Sequence, residues 1–494
     1  MTLITDWTQA LRYQKYDQWS SAYLAELKEK VTQSPWRLGY HIQPETGLLN
    51  DPNGFSFYNG KWQLFYQAFP LGPIHGLKSW FHLTSENLVD WKPEGIALLP
   101  DSEFDSHGVY SGSALPVGNQ LFLAYTGNVR DENWQRQSYQ MGAWLNQDNQ
   151  IEKISAPLIS PDPNYTDHFR DPQVFAYEDS YLMLLGAQDQ ELKGKVLTYQ
   201  SENLKDWQLL GELDYTKEEM GFMVECPNLI FIEGRPVLLF CPQGLAQDTF
   251  AYQNIYPNTY VMGSEFKLTE NKILDATPLK NLDEGFEVYA TQVFNAPDGR
   301  ALGVSWIGLP EIDYPSDQDG WAHCLSIVKE FKIVNEQLLQ QPVAEMQELR
   351  ETQTDFSGTI SNDSEKIAGP MPHQYELKLN LAAGAVGQLD LFADEAGHKF
   401  SIHFDTVRGT MTINRGQSGL TFGEEFGVTR HFEIATGELA LQIFVDASVV
   451  EIFINDGQQV ATARVFPTSS QSSIYLSGEK ISYSGQLWSL RKMK

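Results

Sequence analysis

The chain has 494 residues, with 64 acidic against 35 basic side chains and a formal charge of −29. That length is more than one compact core usually takes, and predicts two domains. The charge argues against nucleic acid and anionic membranes as partners, and a composition of 42% hydrophobic and 20% charged residues argues against extended disorder.

In chain order, residues 1–34 lack a basic stretch followed by an apolar one and read as a helix running to about residue 33. No segment is long enough to span a membrane, and the three cysteines, Cys226, Cys241 and Cys324, have neither metal-ligand spacing nor the count of a disulfide framework. A cytoplasmic protein is the expectation.

From residue 35 the pattern changes to short strands separated by Gly, Asn and Asp turns, an all-β signature. Five hairpins are predicted, turning at Asn59-Gly60, Gly118-Asn119, Asp179-Ser180, Glu233-Gly234 and Asp298-Gly299, with steps of 54 to 65 residues. The heptapeptide Ser85–Trp91 returns as Ser201–Trp207, 116 residues or two units later. Five units of this length predict a five-bladed β-propeller over 35–340. Residues 341–368 read as a polar linker plus a first strand, and 369–494 as a β-sandwich whose strands alternate apolar and polar residues.

Eight residues before the first turn residue of each unit stand Asp51, Tyr110, Asp171, Glu225 and Ala290. Corresponding positions of the innermost strands converge on one end of a propeller's central channel, so three carboxylates should meet there. Such a cluster costs stability that a purely structural protein has no reason to bear. Taken singly, Asp51-Pro52-Asn53-Gly54 could be a surface turn, Arg170-Asp171-Pro172 a capped turn, and Glu225-Cys226-Pro227 nothing in particular. Their shared register argues otherwise. The prolines, moreover, should push the residue before each into extended backbone.

No His or Cys cluster adjoins these positions, and no dense run of oxygen ligands points to Ca²⁺ or Mg²⁺. Glycoside cleavage with retention uses such acids: one ionised carboxylate as nucleophile and one protonated carboxyl as acid/base. Asp51 lies among donors, Arg170 adjoins Asp171, and Glu225 sits in the apolar run Met-Gly-Phe-Met-Val, which predicts Glu225 as the protonated acid.

These segments resemble the signature motifs of family 32 glycoside hydrolases, the invertase and fructanase family. Phe65-Tyr66-Gln67, Tyr110–Ser113, Thr126–Glu132 and Val450–Gly457 are similar too, so the resemblance runs from about residue 35 to the end. It implies a propeller followed by a sandwich, double displacement, and no metal or organic cofactor. It also implies Asp51 as nucleophile, Asp171 as transition-state stabiliser and Glu225 as acid/base, with Asn50, Gln67, Trp80, Ser111 and Arg170 lining a fructose pocket, Tyr110 beside them and Trp306 as a further wall. The chain departs from the family pattern at Gln67-Ala68-Phe69-Pro70, at Ser326–Glu330 and at His75.

The resemblance is greatest to bacterial members that cleave sucrose 6-phosphate. Plain sucrose, short fructans and fructosyl transfer are the alternatives, and a non-catalytic sugar-binding propeller is the reading from another class. A phosphate would need cations, for which His75, Lys78, His107, Arg130 and Arg136 are candidates on loops of the first two blades. The sandwich carries no catalytic constellation, which leaves support, homodimer formation or sugar binding as its role.

Overall fold

The computed structural model describes residues 3–494. The single N-terminal helix expected from the sequence is two: α1, Gln9–Arg12, capped by Thr8, and α2, Ser21–Thr32, capped by Ser20, with a one-turn 3₁₀ segment at Tyr16–Gln18 between them. α2 turns Tyr23, Leu27 and Val31, one per turn, onto Trp321 and Val449. The break docks the segment on blade one, where the Tyr16 hydroxyl donates to the Leu77 carbonyl at 2.8 Å and the Arg12 carbonyl accepts from Leu77 N at 2.7 Å.

Five antiparallel sheets follow. Their innermost strands are Gly47–Tyr58, Val109–Val117, Tyr165–Tyr177, Met223–Ile232 and Val288–Asn295. Each packs on the next and the fifth on the first, which closes a ring of five blades. At the seam, Trp321–Ala322 pairs in parallel with Gly47 and Leu48. The repeated heptapeptide makes the same turn in blades one and three: Asn87 and Asn203 accept backbone N–H groups at Asp90 and Asp206, and Leu88 and Leu204 take φ of 64° and 62°.

Two hairpin turns differ from the sequence reading. The third is Glu178-Asp179, since Tyr177 pairs with Ser180, and the fifth is a longer loop in which the Ala296 amide donates to the Arg300 carbonyl. Eight residues before the third turn therefore stands Arg170, not Asp171. What recurs at this level is a β-bulge. Every innermost strand shifts register there, between Asn50 and Pro52, Val109 and Gly112, Arg170 and Gln173, Glu225 and Asn228, and Tyr289 and Gln292. A bulge takes residues off the ladder and re-aims their side chains. It also overrides the backbone expected before proline: Asp171 and Cys226, both preceding proline, have φ of 69° and 48°, and Ala290 has 46°.

The stretch 341–368, expected as linker and first strand, is more ordered than its polar composition suggested. Residues 341 and 342 finish blade five, Ala344–Leu349 is a 3₁₀ connector, and Arg350–Ile360 and Asp363–Ala368 supply one strand to each of two six-stranded sheets. Both are exposed on most positions, so they lack the alternation that marks the inner strands. The sheets enclose an apolar core built on residues such as Leu377, Leu391, Phe400 and Ile452.

The sandwich also locks onto the propeller. Asp446 accepts backbone N–H groups from Gly39, Tyr40 and His41, and the His41 ring lies between Asp446 (2.9 Å) and Glu451 (3.0 Å). Glu451 also accepts from Ile327 N at 2.8 Å and pairs with Lys329 at 3.3 Å. Lys329 belongs to the run that departs from the family pattern, and both ends of the pair are buried.

Candidate active site

The bulges of blades one to four deliver the polar cluster. Asp51 leaves the first innermost strand into a ring of donors: Asn50 Nδ2 at 3.0 Å, Gln67 Nε2 at 3.2 Å, and the Ser111 hydroxyl, which Gln67 also reaches. Lys78, buried, donates to Asn50 Oδ1 and is fixed next to this carboxylate. Asp171 accepts the Cys226 amide at 3.0 Å, and its own N–H is held by Thr126 Oγ1 at 2.9 Å. The Cys226 thiol stands 3.7 Å from a carboxylate oxygen of both Asp51 and Asp171. The guanidinium of Arg170 donates to Glu225 Oε1 at 2.7 and 3.2 Å and lies 4.0 Å from Asp171, while Tyr289 donates to Glu225 Oε2 at 2.7 Å.

Behind the carboxylates the channel closes to a void of about 10 Å³, too small for more than one water. The channel is therefore not an open pore at the level of the carboxylates.

Burial dominates the electrostatics. It raises the pKa of Asp51 despite the Ser111 and Asn50 hydrogen bonds, and Glu225 nearby adds to the rise. Burial, with Glu225 and Asp51 as neighbours, carries Asp171 to about 7 against the pull of Arg170. Lys78 falls to about 7 for the same reason, with Asp51 opposing the fall. The surroundings expected from the sequence are thus partly exchanged. Arg170 spends its hydrogen bonds on Glu225 and not on its neighbour Asp171, and Glu225 meets Arg170 and Tyr289 where the apolar run Met-Gly-Phe-Met-Val had suggested an apolar environment.

Of the other expected residues, Asn50, Gln67, Ser111 and Arg170 are in direct hydrogen-bond contact with a carboxylate, and Tyr110 adjoins Ser111 at the bulge. Trp306 is buried with its indole N–H unpartnered, its ring 6.0 Å from Tyr289 and 6.1 Å from His75. Burial and Lys78 hold His75 well below its usual pKa, hence neutral.

Trp80 is a correction. It is wholly buried between blades one and two, packed on Phe65 and Tyr125, and its indole donates to the Tyr110 carbonyl at 2.9 Å. It positions the Tyr110-Ser111 bulge and does not face the pocket. Arg130 and Arg136 lie on blade two, at the ends of its second and third strands.

The sequence reading did not single out Cys226, Tyr289, Thr126 or His168, which holds Arg170 at 2.9 Å. Tyr289 and Cys226 each adjoin a register position, so extending the register by one residue would have found both.

A five-bladed propeller whose innermost strands bring together three carboxylates with a paired guanidinium is the arrangement of an acid-based sugar-cleaving enzyme, and the comparisons agree. Residues 41–342 match "Glycosyl hydrolases family 32 N-terminal domain" and residues 345–489 match "Glycosyl hydrolases family 32 C terminal". The chain belongs to glycosyl hydrolase family 32. It is 45% identical over 488 residues to the sucrose-6-phosphate hydrolase of Pediococcus pentosaceus, covering 98% of this chain and 97% of that one. The solved sucrose-6-phosphate hydrolase of Lactobacillus gasseri superposes with a TM-score of 0.95 at 45% identity, covering 99% of this chain and all of that one (100%). A family 32 β-fructofuranosidase from Bombyx mori superposes at 0.82 with 28% identity, covering 96% and 97%. The chain is a glycoside hydrolase.

Proposed function

We propose that the enzyme cleaves sucrose 6-phosphate to glucose 6-phosphate and fructose, with retention, inside the cell. The observation that carries this is Asp51: a carboxylate held by Asn50, Gln67 and Ser111, with Glu225 within its electrostatic reach where the innermost strands converge. Near-full-length identity to sucrose-6-phosphate hydrolases supports the substrate.

In this reading Asp51 attacks the anomeric carbon of the fructosyl unit while Glu225 protonates the bridging oxygen. Water then attacks the fructosyl-enzyme with Glu225 as base. Asp171 binds fructosyl hydroxyls and stabilises the positive charge that develops on the ring.

Arg170 and, below pH 7, Lys78 offset two of the three negative charges.

Turnover of the purified protein on sucrose 6-phosphate, sucrose and inulin, with glucose and fructose moieties read separately, tests the proposal. The expected result is equimolar products and the highest kcat/KM on sucrose 6-phosphate. Fructose released in deficit would indicate transfer, and no turnover on any of the three would defeat the enzyme reading.

A further inference from the structure

Arg130 and Arg136 are direct partners across the second and third strands of blade two. Like charges placed opposite one another on an antiparallel pair oppose folding. In a chain with 64 acids to 35 bases, the ordinary remedy would be a carboxylate. Among the described residues neither arginine has one. Arg130 donates to the Trp134 carbonyl at 3.0 Å, and the Nε groups of both arginines are buried without a partner. Asp167 is near enough to act on Arg136 but forms no ion pair with it. Arg136 also feels the charge of Arg170, which is bonded to Glu225, so a strip of positive charge runs from the acid/base outward. That is the side on which the leaving group departs.

The N-terminal segment supplies the facing wall. Tyr13, in the break between α1 and the 3₁₀ turn, stands edge-on to Trp134 at 5.0 Å and lies 6.0 Å from the His107 ring. His107 Nδ1 in turn accepts the Arg130 amide at 3.2 Å. Burial and the neighbouring Tyr110 hydroxyl, next to Ser111, push the Tyr13 pKa up to about 12, so it stays a proton donor. Both guanidinium groups act on Tyr13. The residue lies ahead of the stretch that matches the family's catalytic domain, 41–342.

We infer that Arg130, Arg136 and the Tyr13 hydroxyl seat the phosphate of the substrate's glucose unit, and that Tyr13 brings the segment ahead of the propeller into substrate selection. The inference rests on the reading above that the substrate is phosphorylated. A dianion between the two arginines would satisfy their free N–H groups and relieve their mutual repulsion, and guanidinium groups suit phosphate because they donate in a planar fork. His75 and Lys78 are poor seats: His75 is neutral, and the Lys78 ammonium is committed to Asn50 beside Asp51.

The test is the ratio of kcat/KM on sucrose 6-phosphate to kcat/KM on sucrose, in wild type and in Arg136→Gln, Arg130→Gln and Tyr13→Phe. The ratio should fall about 10- to 100-fold in each arginine variant and about fivefold in Tyr13→Phe. Sucrose hydrolysis by the same preparations shows that they are folded. An unchanged ratio in both arginine variants overturns the seat, and a loss in those variants without one in Tyr13→Phe overturns the role of the N-terminal segment. A wild type with no preference for the phosphorylated sugar defeats the underlying substrate reading instead. Wild-type enzyme gives a second measure that needs no variant to fold: glucose 6-phosphate should inhibit sucrose hydrolysis at least about tenfold more tightly than glucose. Equal inhibition overturns the seat.

Discussion

Replacing Asp171 by asparagine should stabilise the protein while disabling it. Asp171 is only 6% exposed, is held at φ 69°, and shares its surroundings with Asp51 and Glu225. Its carboxyl is shifted from 3.8 to about 7. A carboxyl raised in the folded state contributes most favourably below the unfolded pKa, and that contribution is lost as pH rises through 7. At alkaline pH a shift of this size corresponds to roughly 4 kcal/mol. Because the three acids share the repulsion, removing one charge should recover on the order of 2 kcal/mol at pH 8, or about 2–5 °C in apparent Tm. The Asn side chain still offers an oxygen to the Cys226 amide, so that hydrogen bond persists. Thermal scans at pH 5 and pH 8 would read the effect: the gain over wild type should be clear at pH 8 and about half or less at pH 5. The reasoning fails if Tm is unchanged or lower at pH 8, or if the gain is equal at both values. Turnover should fall about 10²- to 10³-fold with loss of the charge that faces the developing cation.

Other changes follow from the same geometry. Asp51→Asn should remove activity and leave the fold intact, with turnover at least about 10³-fold below wild type; retained turnover would refute the nucleophile assignment. Glu225→Gln should lower kcat about 10²- to 10⁴-fold on a glucose leaving group and less on an activated aryl fructoside, which needs little protonation, so equal losses on both would count against the acid role. Lys78→Met removes a cation that opposes the raised pKa of Asp51, so the acidic limb of the kcat/KM profile should move to higher pH. Glu451→Ala strands buried Lys329, takes one of two carboxylate partners from His41, and should cost about 3–5 kcal/mol in denaturant unfolding. Burial alone would lower the pKa of His41, but its two carboxylate partners raise it to about 9. The stabilisation it provides is therefore complete below about pH 6.5 and lost as pH rises through 9, which a pH series of melting curves would show.

Much of this site could be read from the chain, because the propeller repeats. The hairpin turns and the two copies of the heptapeptide set the period, and the period placed Asp51, Asp171 and Glu225 on the innermost strands of three blades. What failed was the assumption of a uniform count. A hairpin turn at Glu178-Asp179 instead of one residue later, and bulges that skip one residue in blade one and two in the others, change which atom faces the channel. Neither is visible in hydrophobic alternation, because proline and positive-φ backbone interrupt the pairing there. Partner choice was equally hidden. Arg170 adjoins Asp171 in sequence but bonds Glu225 on the next blade, since the bulge turns the two neighbours apart. Trp80 carried the right motif and still belongs to the core.

The sandwich has a place in the same balance. A ring of blades must be closed where its first and last blades meet, and that seam also supports the first innermost strand, from which Asp51 projects. Only two residues of Trp321–Ala322 pair with that strand. Glu451 reinforces the seam from outside, bonding His41 ahead of blade one and Ile327 and Lys329 entering blade five, while Asp446 gathers three successive amides at Gly39–His41. Buried ionic contacts of this kind are costly to break from one side and add little over apolar packing in themselves. Their use here is geometric. They tie blades one and five, where the ring closes, to the domain without catalytic residues.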